Sequence, residues 1–141
     1  MALDYTVDAE VDINDLEGER VRQSSLMAFW NQQHYEAVLA YKAEKTDFDS
    51  YEANMYLMIK AQLQERALRD GGKATVTEAG IDREIRRNTA WIERKLRLAV
   101  REAEVDRIKG VLTALTHKKD MLVSLALGQR QEMRTMTQFA A

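Results

Sequence analysis

Across 141 residues the chain contains no proline, and that absence constrains its fold more than any other feature. Proline breaks helix interiors by removing a backbone donor and clashing with the preceding turn. Only 6 glycines are left to punctuate the chain, and strong helix formers (Ala, Leu, Glu, Arg, Lys, Gln, Met) dominate the rest. From Asp15 to Arg69 no strong breaker occurs. Asn14 or Asp15 can cap the start of this run, with Glu17 and Glu19 in the first turn facing the helix dipole. Gly18 is tolerable so near a helix start. Thr46-Asp47-Phe48-Asp49-Ser50 is the one soft spot, where a kink or short break is plausible. A continuous helix over 15–69 would be roughly 80 Å long, too long to bury its length in one small globule, so it needs partner helices.

Asp70-Gly71-Gly72 reads as a helix stop. Thr77 then caps a short helix over 78–87, and Asn88-Thr89 gives a second stop and restart before a long helix over 89–134, weakened at Gly110 and Gly128. The expected fold is all-α: two long helices joined by a Gly-containing loop and a short helix, a helical hairpin that assembles into a homo-oligomeric ring or bundle. Residues 14–141 form one helical domain. The last helix carries a heptad-like stripe, with Leu98, Val105 and Leu112 beside Ile108, Leu115 and Leu122. A second stripe runs Ile92, Leu96, Ala99, Ala103. Two adjacent stripes imply two packing partners, the first long helix and a neighbouring subunit.

The charge is −2 overall but unevenly placed. Residues 1–19 hold seven acidic and no basic residues, while 83–101 hold seven basic residues against Glu84 and Glu93. In 1–13, Tyr5, Val7, Ala9, Val11 and Ile13 alternate with polar residues at strand period. This acidic arm reads either as an extended tail that docks onto an edge or another subunit, or as a frayed terminus. The absence of cysteine excludes disulfides and thiolate sites and fits a reducing compartment. No apolar run approaches the ~20 residues of a membrane span, and the N-terminus lacks signal-peptide features. The expected location is the cytoplasm, the host's if the chain is phage-encoded, with no membrane partner.

Catalytic constellations are missing. His34 and His117 have no histidine or cysteine at ligand spacing, Gly71-Gly72-Lys73 lacks the phosphate-loop context, and neither a nucleophile elbow nor a triad is present. The chain is expected to be no enzyme and to need no cofactor or metal. The basic cluster is the candidate site. Arg83, Arg86 and Arg87, then Arg94, Lys95, Arg97 and Arg101, flank Trp91. Cations for phosphates with a flat ring for bases suit single-stranded nucleic acid. The competing reading places Trp91 in the core and pairs the arginines with acids of neighbouring helices. The aromatics Phe29, Trp30, Tyr35, Tyr41, Phe48, Tyr51 and Tyr56 recur along the first helix and read as core or interface.

Ile13, Leu16 and Glu19, with Trp30 about three turns on, open a long helix containing Met58-Ile59-Lys60-Ala61-Gln62-Leu63; a Gly-containing loop, a short helix and a final long helix follow. Over residues 13–134 this arrangement resembles the phage recombination mediators of the UvsY type. The resemblance implies a ring-like homo-oligomer that binds single-stranded DNA and helps a RecA-like recombinase replace a single-strand-binding protein, in recombination and repair. The family's Lys-Ala-Arg-Leu segment, linked to DNA binding, reads Lys60-Ala61-Gln62-Leu63 here. Lys60 carries over, Gln62 departs from the pattern, and Arg66 or Arg69 compensates one or two turns later. The expected DNA surface is Lys60, Arg66, Arg69, Lys73, Arg83, Arg86, Arg87, Arg94, Lys95 and Arg97.

Overall fold

The computed structural model describes residues 6–72 and 75–140, without the side chains of Val7 and Ile13. All regular structure among them is helical: α1 (Thr6–Ala9), a 3-10 turn (Ile13–Asp15), α2 (Leu16–Arg69), α3 (Glu78–Arg87) and α4 (Thr89–Ala140). The described part of the acidic arm is thus not a strand. Its alternating pattern yields to local capping, because the Asp12 carboxylate accepts from Asn14 N–H at 3.0 Å and so starts the 3-10 turn. The Asp15 carboxylate next accepts from Gly18 N–H at 3.1 Å and caps the start of α2. A Cβ on Gly18 would lie 2.2 Å from that carboxylate, so glycine leaves the space in which the cap sits.

α2 passes through 46–50 without a break. Lys45 and Asp49 pair along the helix at 3.6 Å, the Thr46 hydroxyl back-bonds to the Lys42 carbonyl, and Phe48 is buried. These contacts absorb the polar side chains that would otherwise compete with the helix. The stop lies at the glycines: Gly71 N–H donates to Leu68 O and Gly72 N–H to Ala67 O, a Schellman closure, with φ of +80° and +71°. Such angles are open to glycine at no steric cost. Thr77 caps α3 through Gly80 N–H, and the Asn88 side chain caps α4 through Trp91 N–H. α4 runs beyond the expected end at 134 to Ala140, since nothing in Met133–Ala140 breaks a helix.

The chain divides into two compact units, Met1–Glu36 with Asp106–Ala141, and Ala37–Val105. In the first, antiparallel stretches of α2 and α4 bury Leu16 and Trp30, and Ile108, Val111, Leu115 and Leu122. Ile108, Leu115 and Leu122 belong to the heptad stripe read from the sequence, whereas its Leu98, Val105 and Leu112 are half-buried and Val111 lies outside it. The arm is anchored here by its own chain. The Trp30 indole N–H donates to Asp8 Oδ2 at 3.0 Å, and Lys118 Nζ donates to the Asp8 carbonyl at 2.7 Å. Lys118 also lies 3.0 Å from Glu19 Oε2, both side chains buried, and Gln23 donates to Leu115 O at 2.7 Å. Leu16, Glu19 and Trp30, residues that carry the family resemblance, are therefore packing and anchoring residues. Burial alone would push the Glu19 carboxyl up; Lys118, the Asp12 N–H and Arg22 outweigh it and hold it below its ordinary value.

In the second unit Met55 and Ile59 of α2 pack with Ile81 and Ile85 of α3, flanked by Tyr51, Tyr56, Leu63, Val76 and Trp91. The second stripe of α4 is uncovered: Ile92 and Leu96 are 41% and 61% exposed, Ala99 and Ala103 are exposed with them, and Val100, beside the stripe, is 67% exposed. No helix among the described residues is long and apolar enough to cross a membrane.

Candidate nucleic-acid interface

Nine of the ten candidate cations fall among the described residues, all in the second unit; Lys73 lies outside them. The Schellman turn ends α2 so that its last turn, the segment at Thr75–Thr77 and α3 surround one cleft of about 250 Å³. Arg66, Arg83 and Arg87 line it, although 21 residues separate the first from the last in sequence. Asp70 and Glu84 supply carboxylates to the same cleft, and Leu63, Ala67 and Val76 its apolar lining. Leu63 and Val76 also pack against the hydrophobic cluster, so the apolar wall is the edge of the core.

The cations differ in how they are held. Arg66, Arg83, Arg97 and Arg101 are exposed and form no ion pair with any described residue. Arg69 pairs with Glu65 at 2.6 Å, Arg86 with Asp82 at 3.1 Å and Arg87 with Glu84 at 3.7 Å. Each of these pairs lies within one helix and between exposed groups, and such pairs contribute about 0–1 kcal/mol. Among the described residues, no acid of a neighbouring helix holds them, contrary to what the competing reading required.

Arg94 and Lys95 lie against rings. The Arg94 guanidinium is 4.1 Å from the centre of Tyr51, and Lys95 Nζ is 5.6 Å from Phe48 and 5.4 Å from Trp91. Lys60 Nζ sits 5.9 Å from the Tyr56 ring. The Tyr56 hydroxyl donates to Glu78 at 2.7 Å, and that carboxylate raises the phenol above its ordinary value.

Trp91 is not a free stacking ring. Its indole N–H donates to Glu52 Oε2 at 2.9 Å, and it packs at the edge of the core and against Phe48. The aromatic series on α2 divides likewise: Trp30 and Phe48 are buried, Tyr41, Tyr51 and Tyr56 half-buried, Phe29 and Tyr35 exposed. The described residues contain no group of three or more His, Asp or Glu placed to hold a metal ion.

Sequence reasoning named the three arginines of the cleft but missed Asp70 and Glu84 as its carboxylates and Val76 as part of its wall. The available signal was the stop-and-return at Gly71-Gly72, which folds the start of α3 back beside the end of α2. The chain matches no protein-family model, no curated protein and no solved structure.

Proposed function

We propose that this protein binds single-stranded DNA as a recombination mediator, a non-catalytic homo-oligomer that helps load a RecA-like recombinase onto DNA covered by single-strand-binding protein. The observation that carries the reading is the set of exposed arginines, Arg66, Arg83, Arg97 and Arg101, without ion-pair partners among the described residues in one compact unit. Unpaired surface arginine is disposed toward phosphate, which it meets in bidentate geometry. Arg69, Arg86 and Arg87 add cations whose exposed pairs exchange readily for phosphate. A mediator has to hold a strand without sequence preference and release it, and salt-sensitive contacts of this kind do both. Repetition around an oligomer multiplies weak contacts by avidity. The uncovered Ile92 and Leu96, the neighbouring Val100 and the exposed Met133, Met136 and Phe139 of α4 supply apolar surface for self-association.

The same exposed apolar surface favours a second reading, a non-catalytic helical scaffolding or adaptor protein whose arginines serve subunit contacts. Fluorescence anisotropy with a labelled oligonucleotide tests the first; absence of salt-sensitive binding at micromolar protein would sink it. Charge reversal of Arg86 and Arg87, followed by light scattering, separates the two. The mediator reading expects lost DNA binding with the oligomer intact, and the scaffold reading expects disassembly.

A further inference from the structure

The Arg66–Arg83–Arg87 cleft has more chemistry than a strand backbone requires. A surface that only tracks phosphates needs cations. This one joins its arginines to an apolar wall of Leu63, Ala67 and Val76 and to the carboxylates of Asp70 and Glu84. Its volume, about 250 Å³, exceeds the ~150 Å³ that admits one benzene molecule, so it has room for a nucleobase. Glu84 there meets only the long 3.7 Å contact from Arg87 and Asp70 forms no ion pair with a described residue, so both can accept from a donor such as the exocyclic amino group of cytosine.

Resting on the single-stranded-DNA reading, we infer that the cleft takes one unstacked nucleotide of the bound strand, with a preference for a base that carries an exocyclic amino group. Arg66 and Arg83, unpaired among the described residues, take its phosphate. The base lies on the Leu63–Ala67–Val76 wall. Asp70 and Glu84 accept from its amino group; the Arg87–Glu84 contact, at 3.7 Å between exposed groups, yields to this with little loss. Thymine presents a carbonyl where cytosine presents the amino group, and that carbonyl faces the carboxylates unfavourably.

The test uses the full chain with labelled oligo-dC and oligo-dT of equal length at neutral pH, and in parallel the mononucleotides dCMP and dTMP by calorimetry. Oligo-dC is expected to bind about tenfold more tightly than oligo-dT, and dCMP to bind while dTMP binds weakly. Ala67→Leu, a helix-compatible change that fills the cleft, weakens oligo-dC and dCMP alike. Asp70→Ala with Glu84→Ala removes the preference, so that oligo-dC binds no more tightly than oligo-dT, and far-ultraviolet circular dichroism verifies that each variant is folded. Equal affinity for oligo-dC and oligo-dT, or indifference of a folded Ala67→Leu variant, overturns the cleft assignment and leaves the single-strand reading in place. Binding of dCMP without binding of either oligonucleotide overturns the single-strand reading and keeps the cleft as a nucleotide site. Binding of neither overturns both.

Discussion

Replacing Lys118 by methionine isolates the most unusual packing decision in the chain. Lys118 and Glu19 are each 5% exposed, and their charged groups lie 3.0 Å apart. The lysine also donates to the Asp8 carbonyl at 2.7 Å. Methionine keeps the unbranched stem out to the position of Cε and removes the ammonium group. Glu19 is then left as a buried carboxylate facing only Arg22 and a 3.4 Å contact from Asp12 N–H. Breaking a buried pair in this way costs about 3–5 kcal/mol, a large share of the ~5–15 kcal/mol that holds a domain together. Lys118→Met combined with Glu19→Leu should recover most of the loss, short of about 1 kcal/mol for the missing bond to Asp8. Urea unfolding at one fixed protein concentration measures the parent, the two single variants Lys118→Met and Glu19→Leu, and the double, and the cycle gives the coupling. A single variant costing under ~1 kcal/mol, or a double variant no better than the single, would refute this account of the pair.

The same carboxylate sets a pH dependence. Its folded-state pKa lies below the ordinary 4.5, so the folded state favours the charged form. The stability it contributes is fully present above the unfolded value near 4.5 and is lost as pH falls through the lower folded value; acid unfolding of Glu19→Gln should therefore be flatter than that of the parent below about pH 5. Gly71→Ala places a Cβ at φ +80° and should cost about 1–2 kcal/mol, read as a lower thermal midpoint. Gly18→Ala drives a Cβ against the Asp15 carboxylate; it should cost about 0.5–2 kcal/mol through the lost cap and add little in an Asp15→Ala background. Leu96→Lys, at a 61% exposed position, should leave subunit stability within ~0.5 kcal/mol while light scattering reports a smaller assembly; an unchanged mass would remove the stripe from the interface.

The helical plan was legible because its signals are local. The lack of proline, the Gly71-Gly72 stop and the caps at Thr77 and Asn88 each act within a few residues, and α2 and α3 end where the sequence says. The extended reading of the arm fails over Thr6–Ala9 and Ile13–Asp15, because alternation over so few residues carries no information about a partner strand, while the Asp12 and Asp15 caps act at once. Its anchoring by Trp30 and Lys118 depends on contacts 22 and 110 residues apart, which no local pattern encodes. The heptad stripe told which face of α4 is buried in the first unit. It could not tell that Lys118 lies buried among those positions, paired to Glu19. At the candidate interface the cations were countable from sequence, whereas their ion-pair state and the cleft around three of them follow from how α3 returns along α2.

On the proposed function, Arg66, Arg83, Arg97 and Arg101, which form no ion pair with any described residue, contact the phosphates of a single strand. The direct measurement is the salt dependence of oligonucleotide binding by the parent protein and by a variant with Arg66, Arg83, Arg97 and Arg101 all changed to glutamine. Each lost phosphate contact on a single strand should reduce the slope of log affinity against log salt by about 0.7, so four lost contacts would flatten it by about 3 per subunit. A parent protein without salt-dependent binding, or a folded variant with an unchanged slope, would contradict the account.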